Sequence, residues 1–164
     1  MTYNDGPGAR ILRGLAPDVT LLQEFKYQSN SAADLRAFVD QTFGPDFNFY
    51  RETTALLPNG VISRYPILAA GTWDDPETAN REFVWARLDI PGDVDLWAVS
   101  VHLLTTSTSR RAAEALRLAD WVRTQVPQAA YLVLGGDFNT GSRNETCIGH
   151  LSQVLATAGP YPAD

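Results

Sequence analysis

The 164-residue sequence predicts an α+β fold, with sheets and helices in layers, and three stretches carry that prediction. Residues 31–43 place Leu35, Phe38, Val39 and Phe43 on one stripe, between a partial capping box (Ser31 with Asp34) and a Gly44-Pro45 stop. Residues 82–90 and 94–103 alternate or run apolar on either side of Pro91-Gly92-Asp93, as an antiparallel strand pair does. Residues 130–134, A-Y-L-V-L, form an apolar run ending at Gly135-Gly136 and read as a central strand buried on both faces.

The other elements follow in chain order. Residues 10–15 show a short helical pattern (Ile11, Leu12, Leu15) stopped by Pro17. Residues 19–23 read as a strand that ends at Glu24, and short strands are predicted at 47–50, 54–57 and 60–63, with Pro58-Asn59-Gly60 as a tight turn. Residues 71–80 read as an acidic surface loop. In the strand at 82–90, Val84, Ala86, Leu88 and Ile90 make the face to bury. A helix capped by Thr108 or Ser109 runs to about residue 126, with Ala112, Ala115, Ala119 and Val122 inward. A last helix, capped by Asn144, continues to Gly159-Pro160.

Composition bounds the function. With 45% hydrophobic residues the chain can bury a core as one domain, no apolar run reaches membrane-span length, and no basic-then-apolar leader is present, so a soluble protein is expected. The single cysteine, Cys147, leaves no internal disulfide framework and fits a helix's inner stripe. A net charge of −6 argues against avid, non-specific duplex binding, which needs many cationic contacts to phosphate. It leaves room for phosphate chemistry in which a bound divalent cation supplies the positive charge.

Polar residues collect where strands end. Asp137 and Asn139 stand two apart after the 130–134 strand and share one side of an extended backbone, with Phe138 pointing into apolar packing. The same pair are common turn formers, so the tetrapeptide alone leaves both readings open. Glu24 and His102 likewise close strands; their plainer readings are a solvated loop glutamate and a satisfied core histidine. Trp73, Trp85, Trp97 and Trp121 read first as packing, and Arg64 and Arg81, either substrate-phosphate contacts or structural ion pairs, are left outside the site.

Four blocks in order, Ala16-Pro17-Asp18-Val19 to Gln23-Glu24, Asn59-Gly60-Val61-Ile62-Ser63-Arg64-Tyr65-Pro66-Ile67, Val99-Ser100-Val101-His102-Leu103 and Gly136-Asp137-Phe138-Asn139, resemble the endonuclease/exonuclease/phosphatase (deoxyribonuclease-like) superfamily. The resemblance implies a four-layered α/β/β/α sandwich of two mainly antiparallel sheets flanked by helices. It implies hydrolysis of a phosphodiester or phosphomonoester with Mg²⁺ or Mn²⁺. By position Glu24 matches the metal-binding glutamate, and His102 a residue that hydrogen-bonds the phosphoryl oxygen. Asp137 matches the aspartate that orients the attacking water, and Asn139 the asparagine that holds phosphate or that water. A protonated His102, its pKa raised by neighbouring carboxylates, would suit that role.

The superfamily's later Ser-Asp-His block is missing, and His150, on the last predicted helix with no preceding aspartate, is expected on a helix face rather than in a site. Asn4 is either the superfamily's first active-site asparagine or an ordinary loop residue. The expectation is therefore one partial domain over residues 1–164, incomplete at the C-terminus and, if Asn4 is a loop residue, at the N-terminus too. Its function is expected to be metal-dependent phosphoester hydrolysis on nucleic acid, a phospholipid head group or a soluble phosphoester. The alternative is a catalytically incompetent fragment or binding module of the same fold. Exposed sheet edges would invite self-association, and compartment stays open, although relatives with this pattern include many exported enzymes.

Overall fold

The computed structural model describes Tyr3 and residues 6–155. In chain order the elements are α1 (Pro7–Leu15), β1 (Val19–Leu22), α2 (Ala32–Thr42), β2 (Asn48–Arg51), β3 (Gly60–Ser63), β4 (Ile67–Trp73), β5 (Phe83–Leu88), β6 (Leu96–His102), α3 (Thr108–Gln125), β7 (Tyr131–Asp137) and α4 (Thr146–Leu151). They build two sheets, β1-β3-β2 and β4-β5-β6-β7. Every pairing is antiparallel except β6 with β7, and α3 supplies the long crossover that a parallel pair requires.

Three apolar clusters define four layers. Phe25, Leu35, Phe38 and Val39 join α2 to the outer face of the first sheet. Val61, Val84, Ala86, Leu88 and Ala98 fill the space between the sheets, which is the face predicted for residues 84–88. Val99, Val101, Leu103, Leu118 and Val122 join the second sheet to α3. Trp73 lies within this last layer, stacked on Trp85, Trp97 and Trp121 at 6.0, 6.4 and 6.3 Å between ring centroids. The tryptophans are packing, as their patterns implied.

Helix ends follow local chemistry. The Ser31 hydroxyl accepts a hydrogen bond from Asp34 N at 3.1 Å, and Leu35, Phe38 and Val39 turn inward. α1 begins at Pro7 rather than Arg10, because proline in the first turn gives up no intrahelical bond. Ser107, not Thr108 or Ser109, caps α3, accepting from Arg110 N at 3.3 Å. α4 starts after Glu145 instead of Asn144 and ends at Leu151, so Val154 and Leu155 fall in the turn after it and the expected run to Gly159-Pro160, which lie outside the described residues, is corrected.

Three strand expectations are corrected. Residues 54–57 form no strand; they belong to the connection between β2 and β3, with Leu56 72% exposed. The Glu52 carboxylate, rather than Pro58-Asn59-Gly60 chemistry, organises that connection by accepting from the backbone N–H of Asn59 and of Glu82. Residues 71–73 are not loop but the end of β4, whose alternation is blurred by a bulge between Ile67 and Ala69. Finally, the 130–134 run is neither central nor buried on both faces. Among the described residues it is part of an edge strand that pairs only with β6, and Tyr131 and Val133 are 60% and 39% exposed because the three-stranded first sheet does not reach over them.

Candidate active site

The carboxyl ends of β1, β6 and β7 meet at one end of the sandwich. Gln23 donates from Nε2 to the Ser100 hydroxyl at 3.0 Å, and that hydroxyl donates to the Leu22 carbonyl at 3.0 Å, tying β1 to β6 across the two sheets. Gly136 closes the third side. Its φ is +149°, and a Cβ there would stand 1.9 Å from the Val101 carbonyl oxygen and 3.0 Å from Gln23 Nε2. Only glycine permits this approach. Glu24 and Asp137 each follow a member of the Gln23–Gly136 contact by one residue, so both leave the sandwich at this end.

Glu24 has a left-handed backbone, φ +50°, in a turn pinned on its far side by fully buried Phe25, whose N–H donates to the Pro58 carbonyl at 2.8 Å. Phe25 in turn crowds Gly60, where a Cβ would meet its ring at 2.7 Å. A buried anchor one residue away makes the glutamate's position a property of the core.

His102 pairs in register with Asp137 and is 6% exposed. Its Nε2 lies 3.9 Å from Asp137 Oδ2, beyond hydrogen-bond reach, and its Nδ1 is buried with no partner among the described residues. The expectation of a raised pKa is corrected. Burial, and then the Arg81 charge, push the imidazole below its ordinary value, against an opposing pull from Asp137. At neutral pH the ring is uncharged and donates from one nitrogen only.

Asp137 and Asn139 do not extend side by side as the strand reading predicted. Asn139 turns left-handed at φ +50°; its N–H donates to Asp137 Oδ1 at 3.0 Å and its Nδ2 to the Leu103 carbonyl at 2.8 Å. The pair is therefore a turn and a polar cluster at once, since the turn folds the carboxamide back against the end of β6. The Leu103 N–H donates to the Asp137 carbonyl at 2.9 Å, which completes the link. The Asp137 side chain keeps 54% of its surface open, and Phe138 packs on the apolar layer under α3 as expected.

Among the described residues no three His, Cys, Asp or Glu side chains gather as a cage for a metal ion. A hard cation such as Mg²⁺ needs no such cage: one or two carboxylates suffice when water and substrate oxygens fill the remaining positions. Glu24, an oxygen donor that leaves β1 at the same end of the sandwich as Asp137 leaves β7, fits that requirement.

The sequence reading missed a buried polar layer behind these residues. Arg81 is 5% exposed and donates to the carbonyls of His102 and Leu103, the latter at 2.9 Å. Glu114 on α3 is fully buried and accepts from Leu104 N with both oxygens, at 2.9 and 3.1 Å, while bonding Asp75. Arg111, 4% exposed, donates to the carbonyls of Leu104 and Thr105 and pairs with Glu145 at 2.7 Å. The signal was present: Arg111 and Glu114 continue the stripe of Ala115, Leu118, Ala119 and Val122 by one turn. Burial raises Glu52 to about 7 and raises Glu114 and Asp75 as well. Arg64 lies apart, paired with Asp18 at 2.9 Å; His150 sits in α4; Cys147 is buried packing; Asn4 lies outside the described residues.

Comparison with known proteins bears on the fold and the family. The family model described as the endonuclease/exonuclease/phosphatase family matches residues 9–161. Among solved structures, an endonuclease/exonuclease/phosphatase from Bacteroides vulgatus is 18% identical with a TM-score of 0.72, covering 92% of this chain and 62% of its own. Humanized D. rerio TDP2 is 19% identical with a TM-score of 0.65, covering 92% and 65%. A Bacteroides thetaiotaomicron mannosyl-6-phosphatase is 13% identical with a TM-score of 0.68, covering 88% and 59%. This chain thus spans less than two thirds of the length of each. A search of curated protein sequences returns no match. The residues matched by the family model take in every element from α1 through α4 apart from the first two residues of α1, and the chain belongs to the endonuclease/exonuclease/phosphatase family.

Proposed function

We propose that this domain hydrolyses phosphoesters by attack of a water held at Asp137. The convergence of His102, Asp137 and Asn139 on the Leu103 peptide, at the end from which Glu24 also emerges, is the observation that carries the reading. The left-handed backbones of Glu24 and Asn139 add support, because strain of this kind collects at functional sites. Asp137, with an open carboxylate, orients the water and takes its proton as oxygen–phosphorus bonding begins and the ester bond breaks. His102, neutral at physiological pH, donates its one N–H to a phosphoryl oxygen, and Asn139 holds the phosphate or the water. Glu24 would hold Mg²⁺ or Mn²⁺, which when bound neutralises charge on the phosphoryl oxygens.

Two relatives bracket the substrate. One TDP2 structure from D. rerio contains a single-strand DNA product, and the Bacteroides thetaiotaomicron relative is named a mannosyl-6-phosphatase. Both phosphodiesters and phosphomonoesters, whether nucleic acid, lipid head group or soluble ester, are therefore proposed as the class to test. The net charge of −6 favours single-stranded or small substrates over duplex DNA. We also propose that the open edge of β7 supports self-association.

The test is turnover of bis(p-nitrophenyl) phosphate, p-nitrophenyl phosphate, single-stranded DNA and plasmid, each with Mg²⁺ and with chelator. Metal-dependent hydrolysis of at least one is expected, and Asp137→Asn should lower it by about 100-fold or more. Turnover that survives chelation or D137N contradicts the reading. A second reading is a binding module of the same fold without catalysis; wild-type protein inert on all four substrates would support it.

A further inference from the structure

β6 stops at His102, and the chain beyond it has carbonyls with no strand to receive. His102 lies past the last β5–β6 pair, Val84 with Ser100, so the ladder no longer serves it. Two buried arginines take over. Arg81 donates to the carbonyls of His102 and Leu103, and Arg111 to those of Leu104 and Thr105 at 3.0 and 3.1 Å. Glu114 holds the intervening Leu104 N–H with both carboxylate oxygens. Five backbone groups of residues 102–105 are thus fixed by three side chains, each no more than 5% exposed.

The same side chains reach the turn after β7. The Leu103 carbonyl that accepts from Arg81 also accepts from Asn139 Nδ2 at 2.8 Å. Glu145, the partner of Arg111, accepts from Gly141 N at 2.7 Å, two residues past Asn139. Asp75, 3% exposed, bonds Glu114 and attracts Arg81, which joins the two halves. A layer so buried touches no substrate, yet it sets the backbone from which His102 projects and the carbonyl on which Asn139 rests.

We propose that Arg81 and Glu114, linked through Asp75, form a positioning unit that fixes His102 and Asn139 for the reaction without contacting the substrate. The proposal rests on the phosphoesterase reading above for its meaning in catalysis, but its geometric content can be tested without turnover. The chain has only two histidines, His102 and His150, so ring signals in NMR spectra are assigned with one variant, His150→Gln.

The experiment records the His102 ring and Asn139 side-chain amide signals, with steady-state kinetics where turnover exists, for wild type and for R81K, R81M, E114Q and E114L. In R81M both signals should move, and the His102 titration midpoint should rise, because the lost guanidinium opposed the ring's protonation while Asp137 continues to favour it. R81K, which keeps the charge and one donor, should restore the midpoint. E114Q, a neutral acceptor of the same shape, should leave both signals in place, whereas E114L should shift them. Where the wild type turns over, R81M and E114L should lower kcat by about 10- to 100-fold with KM within about twofold, as small misplacements of reacting groups do. A folded R81M or E114L whose two signals stay at their wild-type positions overturns the proposal, as does a kcat unchanged in both. If R81M does not fold, E114L reads the same signals. A wild type without turnover defeats the hydrolase reading alone and leaves the NMR comparison to decide this one.

Discussion

At the scale of single residues, the site depends on a position with no side chain. Gly136 brings the β7 backbone against Val101 and Gln23 at a φ of +149°, a region closed to side-chain-bearing residues. Gly136→Ala would force a Cβ into the Val101 carbonyl, and neither backbone can retreat without moving Asp137. We expect a loss of about 2–4 kcal/mol, measured by urea unfolding, together with loss of any hydrolysis. The residue types at this end were legible in the sequence, because Glu24, His102, Asp137 and Asn139 all stand where strand patterns stop. Their geometry was not. Nothing in G-D-F-N distinguishes an extended pair from the turn that sends Asn139 back to Leu103, and the lowered pKa of His102 comes first from its burial and then from Arg81, 21 residues away in sequence.

At the scale of elements, α2 was legible because its apolar and polar faces separate, and β5 and β6, buried along nearly their whole length, because their apolar runs flank the Pro91-Gly92-Asp93 turn. β4 was missed because its bulge breaks the alternation, and Gly71, Thr72 and Trp73 read as loop. The apolar run of β7 reads as a strand buried on both sides, since apolar content cannot tell a buried strand from an edge whose neighbours are few. Tyr131 and Val133 therefore stand exposed beside unpaired backbone, the arrangement that recruits another strand. Light scattering after size exclusion should show dimers or larger species, and Val133→Lys, a charge on that open face, should return the chain to monomers. A wild-type chain that is monomeric throughout contradicts the edge-pairing proposal.

At the scale of the whole molecule, the two sheets serve as a frame that delivers three strand ends to one mouth, and the order of those strands was legible because the four sequence blocks occur in sequence along the chain. Of the buried acids behind the mouth, Glu114 carries a sign in its place on the α3 stripe, whereas Glu52 and Asp75, in connections outside any periodic pattern, carry none. They have a consequence for stability. Glu52, 4% exposed, keeps its proton in the folded protein up to about pH 7, against an ordinary value of 4.5. Between those values the folded state binds more protons than the unfolded, so stability falls as pH rises, by on the order of 3 kcal/mol at most for this group. Glu114, raised by burial in the same sense, extends the decline upward, while His102, lowered, gains stability as pH rises through its ordinary range. Urea unfolding should show wild type more stable at pH 5.5 than at pH 8, and Glu52→Gln should flatten the difference.

The most direct measurement is Mn²⁺ titration followed by NMR of the His102 ring. A paramagnetic ion held at Glu24 should broaden that signal at low occupancy, because the ends of β1 and β6 adjoin, and Glu24→Gln should remove the effect while leaving the ring in its wild-type position. A His102 signal untouched by Mn²⁺, or broadened equally in the E24Q chain, would contradict the claim that these strand ends share one metal-binding mouth.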